Sequence, residues 1–236
     1  MKVRVKFAKY GALRFIGHLD VMRFFQKALR RAGVDVAYTT GFSPHQIMSF
    51  ASPLGLGMCS QGEYMDIEIH SHNGEADMVK RLNAACVPGI EVINVRALPD
   101  TAGNAMASVA AARYTVHCKE GETDFSFLSD AIRSFLSRKE IFVTKETKKG
   151  ISEMDIRPGI YELFVREDGL LEMMVDASSA GNIKPALLLN TLWKAAELGE
   201  EAPISTWQMT RLETYTNTGT AEQPVFTALD EVGETF

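Results

Sequence analysis

The sequence predicts a mixed α+β protein made of two tandem ferredoxin-like (βαββαβ) units, each an antiparallel sheet with its helices on one face. Three observations carry this reading. Strand-like segments alternate apolar and polar residues, and helical segments place apolar residues at three- and four-residue steps. The order strand, helix, strand, strand, helix, strand occurs twice, which is the split βαβ arrangement. Between the two runs lies 99–112, PDTAGNAMASVAAA, rich in small residues and weak in periodicity, which reads as a linker. The expected organisation is therefore a first domain at 1–98, a linker at 99–112, a second domain at 113–216 and a flexible acidic tail at 217–236.

In the first unit, VRVKF at 3–7 alternates as a half-buried strand. From Leu19 to Ala32 the residues Leu19, Met22, Phe25, Ala28, Leu29 and Ala32 mark one side of a helix, which Gly33 is suited to end. VDVAY at 34–38 reads as a second strand. The following GFSPHQIMSFASPLGLG reads as a long ordered loop, anchored by Phe42, Ile47, Met48, Phe50 and Leu54. EYMDIEI at 63–69 alternates again. Ala76 to Cys86 forms a second helix ending before Pro88-Gly89, and IEVINVRAL at 90–98 closes the unit.

In the second unit, ARYTVHC is a strand and Asp124 is placed to cap a helix with Phe127, Leu128, Ala131, Ile132 and Phe135 on its apolar face. EIFVTKE is the next strand, and KKGISEMDIRP reads as a basic turn and loop. IYELFV and LLEMMVD form a hairpin across 166–169. Pro185 suits the first turn of LLLNTLWKAAEL, Gly199 can terminate it, and TWQMTRLETY is the last strand.

Composition bounds the function class. With 46% hydrophobic and 23% charged residues, 236 residues can bury a full core. The net charge of −5 hides an asymmetry: residues 1–50 hold nine Lys/Arg against two Asp, a balance of +7, so the remainder carries −12. A basic region on an acidic chain points to an anionic ligand such as RNA phosphate. Cys59, Cys86 and Cys118 are far apart, with no CxxC, so no zinc ribbon or iron–sulfur cluster can be built from them and buried reduced thiols are expected. The N-terminus lacks an apolar core and no apolar run reaches spanning length, so a cytoplasmic protein without a membrane segment is expected. GxSxG, Walker A, GxGxxG after a strand and HExxH are all missing.

The candidate site centres on the first helix. Arg23, Lys27, Arg30 and Arg31 recur on a stripe beside the apolar face and can reach an anion together. Arg14, His18 and Asp20 cluster ahead of it, and the loop presents His45 and Ser49. These residues are expected to converge on one cleft. His18 and His45, with Asp20, could do acid–base work, although their spacing is not a metal signature; structural polar roles compete with that reading. His70 and His72 form an HxH that reads as surface loop. A second basic group comprises Lys145, Lys148, Lys149 and Arg157, where Lys148, Lys149 and Arg157 are candidates to bind RNA through its phosphates and Asp155 and Arg157 can alternatively form an internal ion pair. No metal site and no cofactor are expected.

LRFIGHLDVMRFFQKALRRAG, GFSPHQIMSF, PLGLG and TKKGISEMDIRP together resemble the radical SAM-linked protein family. That family comprises bacterial proteins or domains that occur beside, or fused to, a radical S-adenosylmethionine enzyme. The resemblance spans about residues 2–215. It implies such an enzyme as partner. Joined with the basic helix, it gives the expected function: a non-catalytic partner that binds RNA or another anionic substrate for modification. The alternatives are a stand-alone RNA-processing or RNA-modifying enzyme using His18, His45 and Asp20, and a structural scaffold.

Overall fold

The computed structural model describes residues 1–147 and 150–236, with side chains described throughout except at 145–147 and 151. The strands are β1 (Lys2–Lys9), β2 (Met48–Phe50), β3 (Cys59–Glu68), β4 (Ile90–Ala97), β5 (Ala111–Cys118) and β6 (Phe142–Thr147). They continue as β7 (Gly150–Asp155), β8 (Ile160–Val165), β9 (Leu171–Asp176), β10 (Trp207–Asn217) and β11 (Phe226–Ala228). The helices are α1 (His18–Arg31), α2 (Glu75–Ala85), α3 (Ala105–Ser108), α4 (Ser129–Leu136) and α5 (Pro185–Ala195). The protein is mixed α+β, with mostly antiparallel pairing. It divides into two compact units, residues 1–110 with 211–236, and residues 111–210.

In the first unit β1 lies between β4 and β3, antiparallel to both. Strand alternation separates two faces. Val3, Val5, Phe7, Met65 and Ile67 point to the side where Phe25 and Leu29 of α1 and Met78 and Leu82 of α2 complete an apolar core. Arg4, Lys6, Tyr64 and Asp66 point to the other. The expected strand at 34–38 makes isolated bridges, Val36 to Ile69 and Tyr38 to Gln46, in place of a ladder. The chain leaves β3 after one contact, folds through Thr39 to His45, and returns as β2 with Met48 opposite Ile67. Leu19, expected in the helix core, is 59% exposed, and Val21 is buried in its stead.

Residues 217–236 have the composition of a frayed tail, yet they are folded. Thr216 and Asn217 pair with β11, Leu229 is fully buried, and Glu234 bridges Ala97. The Phe236 carbonyl accepts the Glu75 amide, and its ring meets the His72 ring edge-on at 4.8 Å. The segment is acidic, and Asp230 finds its cation on the polar face of β1.

In the second unit β9 lies between β5 and β8, antiparallel to both, and β10 follows on the other side of β5. Stretch 150–155, read as turn and loop, is instead β7, paired with β6 in a separate two-stranded sheet. The core holds Phe125, Leu128, Ile132 and Phe135, with Trp193 and Trp207 rings 5.6 Å apart. Phe127, expected on the apolar face of α4, is exposed at 58% and touches the Trp193 ring. Asp124 accepts the Ser126 amide and so opens the turn that leads into α4.

Candidate basic helix face

Helix α1 starts after Gly17 and stops ahead of Gly33, whose φ of +64° is easy only for glycine. The Gly33 and Val34 amides then cap the Arg30 and Leu29 carbonyls. Buried Val21, Phe25, Ala28 and Leu29 fix the rotation of the helix, which puts Leu19, Arg23, Lys27 and Arg30 on the outside. Asp20 lies in the first turn, where a carboxylate suits the helix dipole, and reaches Arg23 at 3.5 Å. Both partners are more than half exposed, so the pair holds Arg23 weakly. Lys27 and Arg30 make no ion pair or hydrogen bond among the described residues. Arg31 departs from the stripe and donates to the Ala85 carbonyl at 2.7 Å.

The +7 of the first fifty residues is therefore only partly a surface. Arg4 is buried in a two-point pair with Asp66 at 2.7 and 3.0 Å, and Lys6 is bound to Glu213. Lys9 donates to the Ile16 carbonyl, and its pKa is lowered because burial disfavours its charge.

The residues around the helix are held by different partners. The His18 ring packs edge-on against Phe50 at 5.2 Å. His45, exposed in the turn, is fixed by Thr39, whose Oγ1 lies 3.1 Å from both its Nδ1 and its amide. Among the described residues His18, His45 and Asp20 thus pack against Phe50, hydrogen-bond to Thr39 and pair with Arg23, respectively. The turn is tied to α1 at mid-helix, where Gln46 Nε2 donates to the Gln26 carbonyl at 3.4 Å. Ser49 lies in β2 opposite Asp66. Arg14 donates to the Gly11 carbonyl and stacks over the Phe15 ring, 4.5 Å from its centroid.

Of the second basic group, Lys148 and Lys149 lie outside the described residues, as does the Lys145 side chain. Arg157 donates to the Leu136 and Ile160 carbonyls rather than to Asp155. Asp155 instead accepts the Ile141 and Arg157 amides. This replaces the expected ion pair with two separate backbone clamps.

Sequence reasoning passed over two features. Phe15 is 63% exposed although the Arg14 guanidinium lies over its ring. Its signal was an aromatic residue ahead of the helix and outside the helix's apolar phase. The other is the polar face of the first unit's sheet. There Tyr64 donates toward Glu213 and Asp230, each at 2.6 Å, and Asn94 donates to Asp230 at 2.7 Å. Burial opposes the Lys6 charge, but the Glu213 and Asp230 carboxylates outweigh it and raise the lysine pKa. Burial likewise works to raise the Asp230 pKa, and the hydrogen bonds from Tyr64 and Asn94 with the Lys6 charge hold it below the ordinary carboxylate value. Burial first, then the Glu213 charge, pushes the Tyr64 hydroxyl far up. The group is an internal lock whose distant members, Glu213 and Asp230, no local pattern links to β1.

Residues 2–185 match the family model DUF2344, described as an uncharacterized protein conserved in bacteria. The chain belongs to that family. No curated protein matches it. Among solved structures it is similar to a chain of "Crystal Structure of a Cbf5-Nop10-Gar1 Complex", with 11% identity and a TM-score of 0.47. The match covers 90% of this chain and 48% of the other, so the DUF2344 chain spans about half the length of that structure's chain. Among the described residues no helix is long and apolar enough to cross a membrane, and no group of three or more His, Cys, Asp or Glu is placed to hold a metal ion.

Proposed function

We propose that this DUF2344 protein is a cytoplasmic, non-catalytic partner of a radical SAM enzyme, binding RNA or another anionic substrate for modification through the outer face of α1. The observation that carries the anion-binding part is the stripe of Arg23, Lys27 and Arg30. These cations stand at helical spacing toward solvent, whereas Arg4, Lys6 and Arg211 of the sheet are neutralised by Asp66, Glu213 and Glu63. Solvated cations in a row can exchange small counterions for phosphates at little reorganisation cost. The link to a radical SAM enzyme rests on the sequence resemblance alone.

We read each unit as ferredoxin-like. In the first, the order β4-β1-β3 with α1 and α2 on one face supports this, β2 and residues 34–38 sharing the fourth position. In the second, β5, α4, β8, β9, α5 and β10 follow the βαββαβ order with strands arranged β10-β5-β9-β8. Hairpin β6-β7 is then an insertion.

The test is a titration of RNA at several salt concentrations. A triple variant, Arg23→Gln with Lys27→Gln and Arg30→Gln, should flatten the slope of log K against log salt by about two units, at roughly 0.7 per phosphate contact for a single strand. Exposed Lys139 and Lys184 of the second unit, changed to Gln, should leave it unaltered. Weak, salt-insensitive binding by wild type and variant alike would refute the proposal.

A further inference from the structure

The exposed face of α1 has an apolar head as well as a basic tail. Leu19 begins the stripe at 59% exposed, and Phe15 stands just ahead of it at 63%. The Phe15 ring has neighbours on one face and at its edge. The Arg14 guanidinium covers one of its faces, and Arg14 is itself tied to the Gly11 carbonyl at 3.0 Å. The backbone of the 53–57 loop borders the ring edge: the Gly57 amide donates to the Arg14 carbonyl, and a Cβ built on Gly57 would lie 3.8 Å from Phe15 Cε1. An aromatic ring held on one face and at its edge, and left open to water on the rest, loses little freedom when a flat partner is laid on it.

Resting on the RNA reading above, we infer that Phe15 is a base-stacking platform and that the ligand is single-stranded RNA, one base lying on Phe15 while its neighbouring phosphates meet Arg23 and Lys27. The combination selects the ligand class. Cations alone would serve a duplex equally well, since a duplex offers phosphates and hides its base faces. A neutral π-face just ahead of a row of cations in the chain rewards a ligand that is anionic and also has free planar rings. An apolar protein segment would cover Phe15 and Leu19 but would leave Lys27 and Arg30 without partners. The bound Arg14 places a guanidinium behind the ring, so base, ring and guanidinium form one stack.

The experiment uses the full chain and fluorescence anisotropy with three labelled probes: a 12-nucleotide uridine strand, an abasic strand of equal length, and a duplex of equal charge. The variants are Phe15→Ala, Phe15→Trp and, as a control from the second unit, Phe142→Ala, which removes another exposed ring. Wild type should prefer the uridine strand over both other probes. Phe15→Ala should weaken uridine binding about tenfold, the equivalent of one stacked base, with the salt slope unchanged because phosphate contacts remain. Phe15→Trp should restore affinity, and Phe142→Ala should not alter it. Because Phe15 is largely exposed, its variants should keep the wild-type circular dichroism melt. Equal uridine affinity for wild type and Phe15→Ala, or equal binding of abasic and uridine strands by wild type, would overturn the platform while the salt-dependent basic face stands. Loss of salt-dependent binding to every probe in wild type would instead overturn the RNA reading and the platform with it.

Discussion

Replacing Asp230 with alanine tests whether the C-terminal segment is a locked part of the first unit. The Asp230 carboxylate is nearly buried and accepts from Tyr64 Oη at 2.6 Å, from Asn94 Nδ2 at 2.7 Å and from Lys6 Nζ at 3.4 Å. Hydrogen bonds to a charged group contribute about 1.5–3 kcal/mol each, and removing one member of a buried ion pair costs about 3–5 kcal/mol. Tyr64 and Lys6 both retain Glu213 as an acceptor, which favours the lower end, about 3 kcal/mol. For a chain of this size that is a fall of roughly 6–12 °C in melting temperature. Hydrogen exchange should locate the loss at 226–234, where the Leu229 amide is held by the Thr214 carbonyl and the Glu234 amide by the Ala97 carbonyl. The pH dependence follows from the direction of the shift. The Asp230 pKa is depressed below its ordinary 3.8, so its contribution is present above that pH and is lost as pH falls through the folded-state value. The deficit of Asp230→Ala relative to wild type should therefore shrink in strong acid. A variant that melts with wild type at pH 7 and keeps its protection at 226–234 would show that the segment does not depend on this lock.

Two further substitutions separate packing from binding. Gly62→Ala would put a Cβ 2.6 Å from Glu213 Cα and 2.8 Å from the Leu212 carbonyl, both backbone atoms that cannot swing aside. Urea unfolding should show a loss of about 1–3 kcal/mol or more, and an unchanged midpoint would refute so close an approach of the two strands. Arg157→Gln should lower the melting temperature by removing bonds to the Leu136 and Ile160 carbonyls, at about 1–3 kcal/mol, with RNA affinity unaltered. A loss of RNA affinity at full stability would return Arg157 to the binding surface.

The apolar phase of α1 could be read directly, because Phe25, Ala28 and Leu29 repeat at helical spacing and burying them decides the rotation of the helix. The same phase puts Arg23, Lys27 and Arg30 outside, so the basic stripe is legible in the sequence. Strand alternation likewise marked Val3, Val5 and Phe7 as one face of β1. Local pattern fails where a residue's partner is far away in the chain. Lys6 and Arg4 counted as surface cations until Glu213, Asp230 and Asp66 arrived from elsewhere to neutralise them. The segment after Thr216 looked like tail because its composition is acidic and poor in periodicity, yet a buried carboxylate needs one cation, not a pattern, and Lys6 supplies it. Apolar character alone marks Phe42 as a loop anchor, yet it is fully exposed, while Phe15 lies under the Arg14 guanidinium without belonging to any apolar pattern. Periodicity reports which side of an element is apolar. Whether that side is covered depends on which other element reaches it, and that is decided by long-range pairing across the sheet.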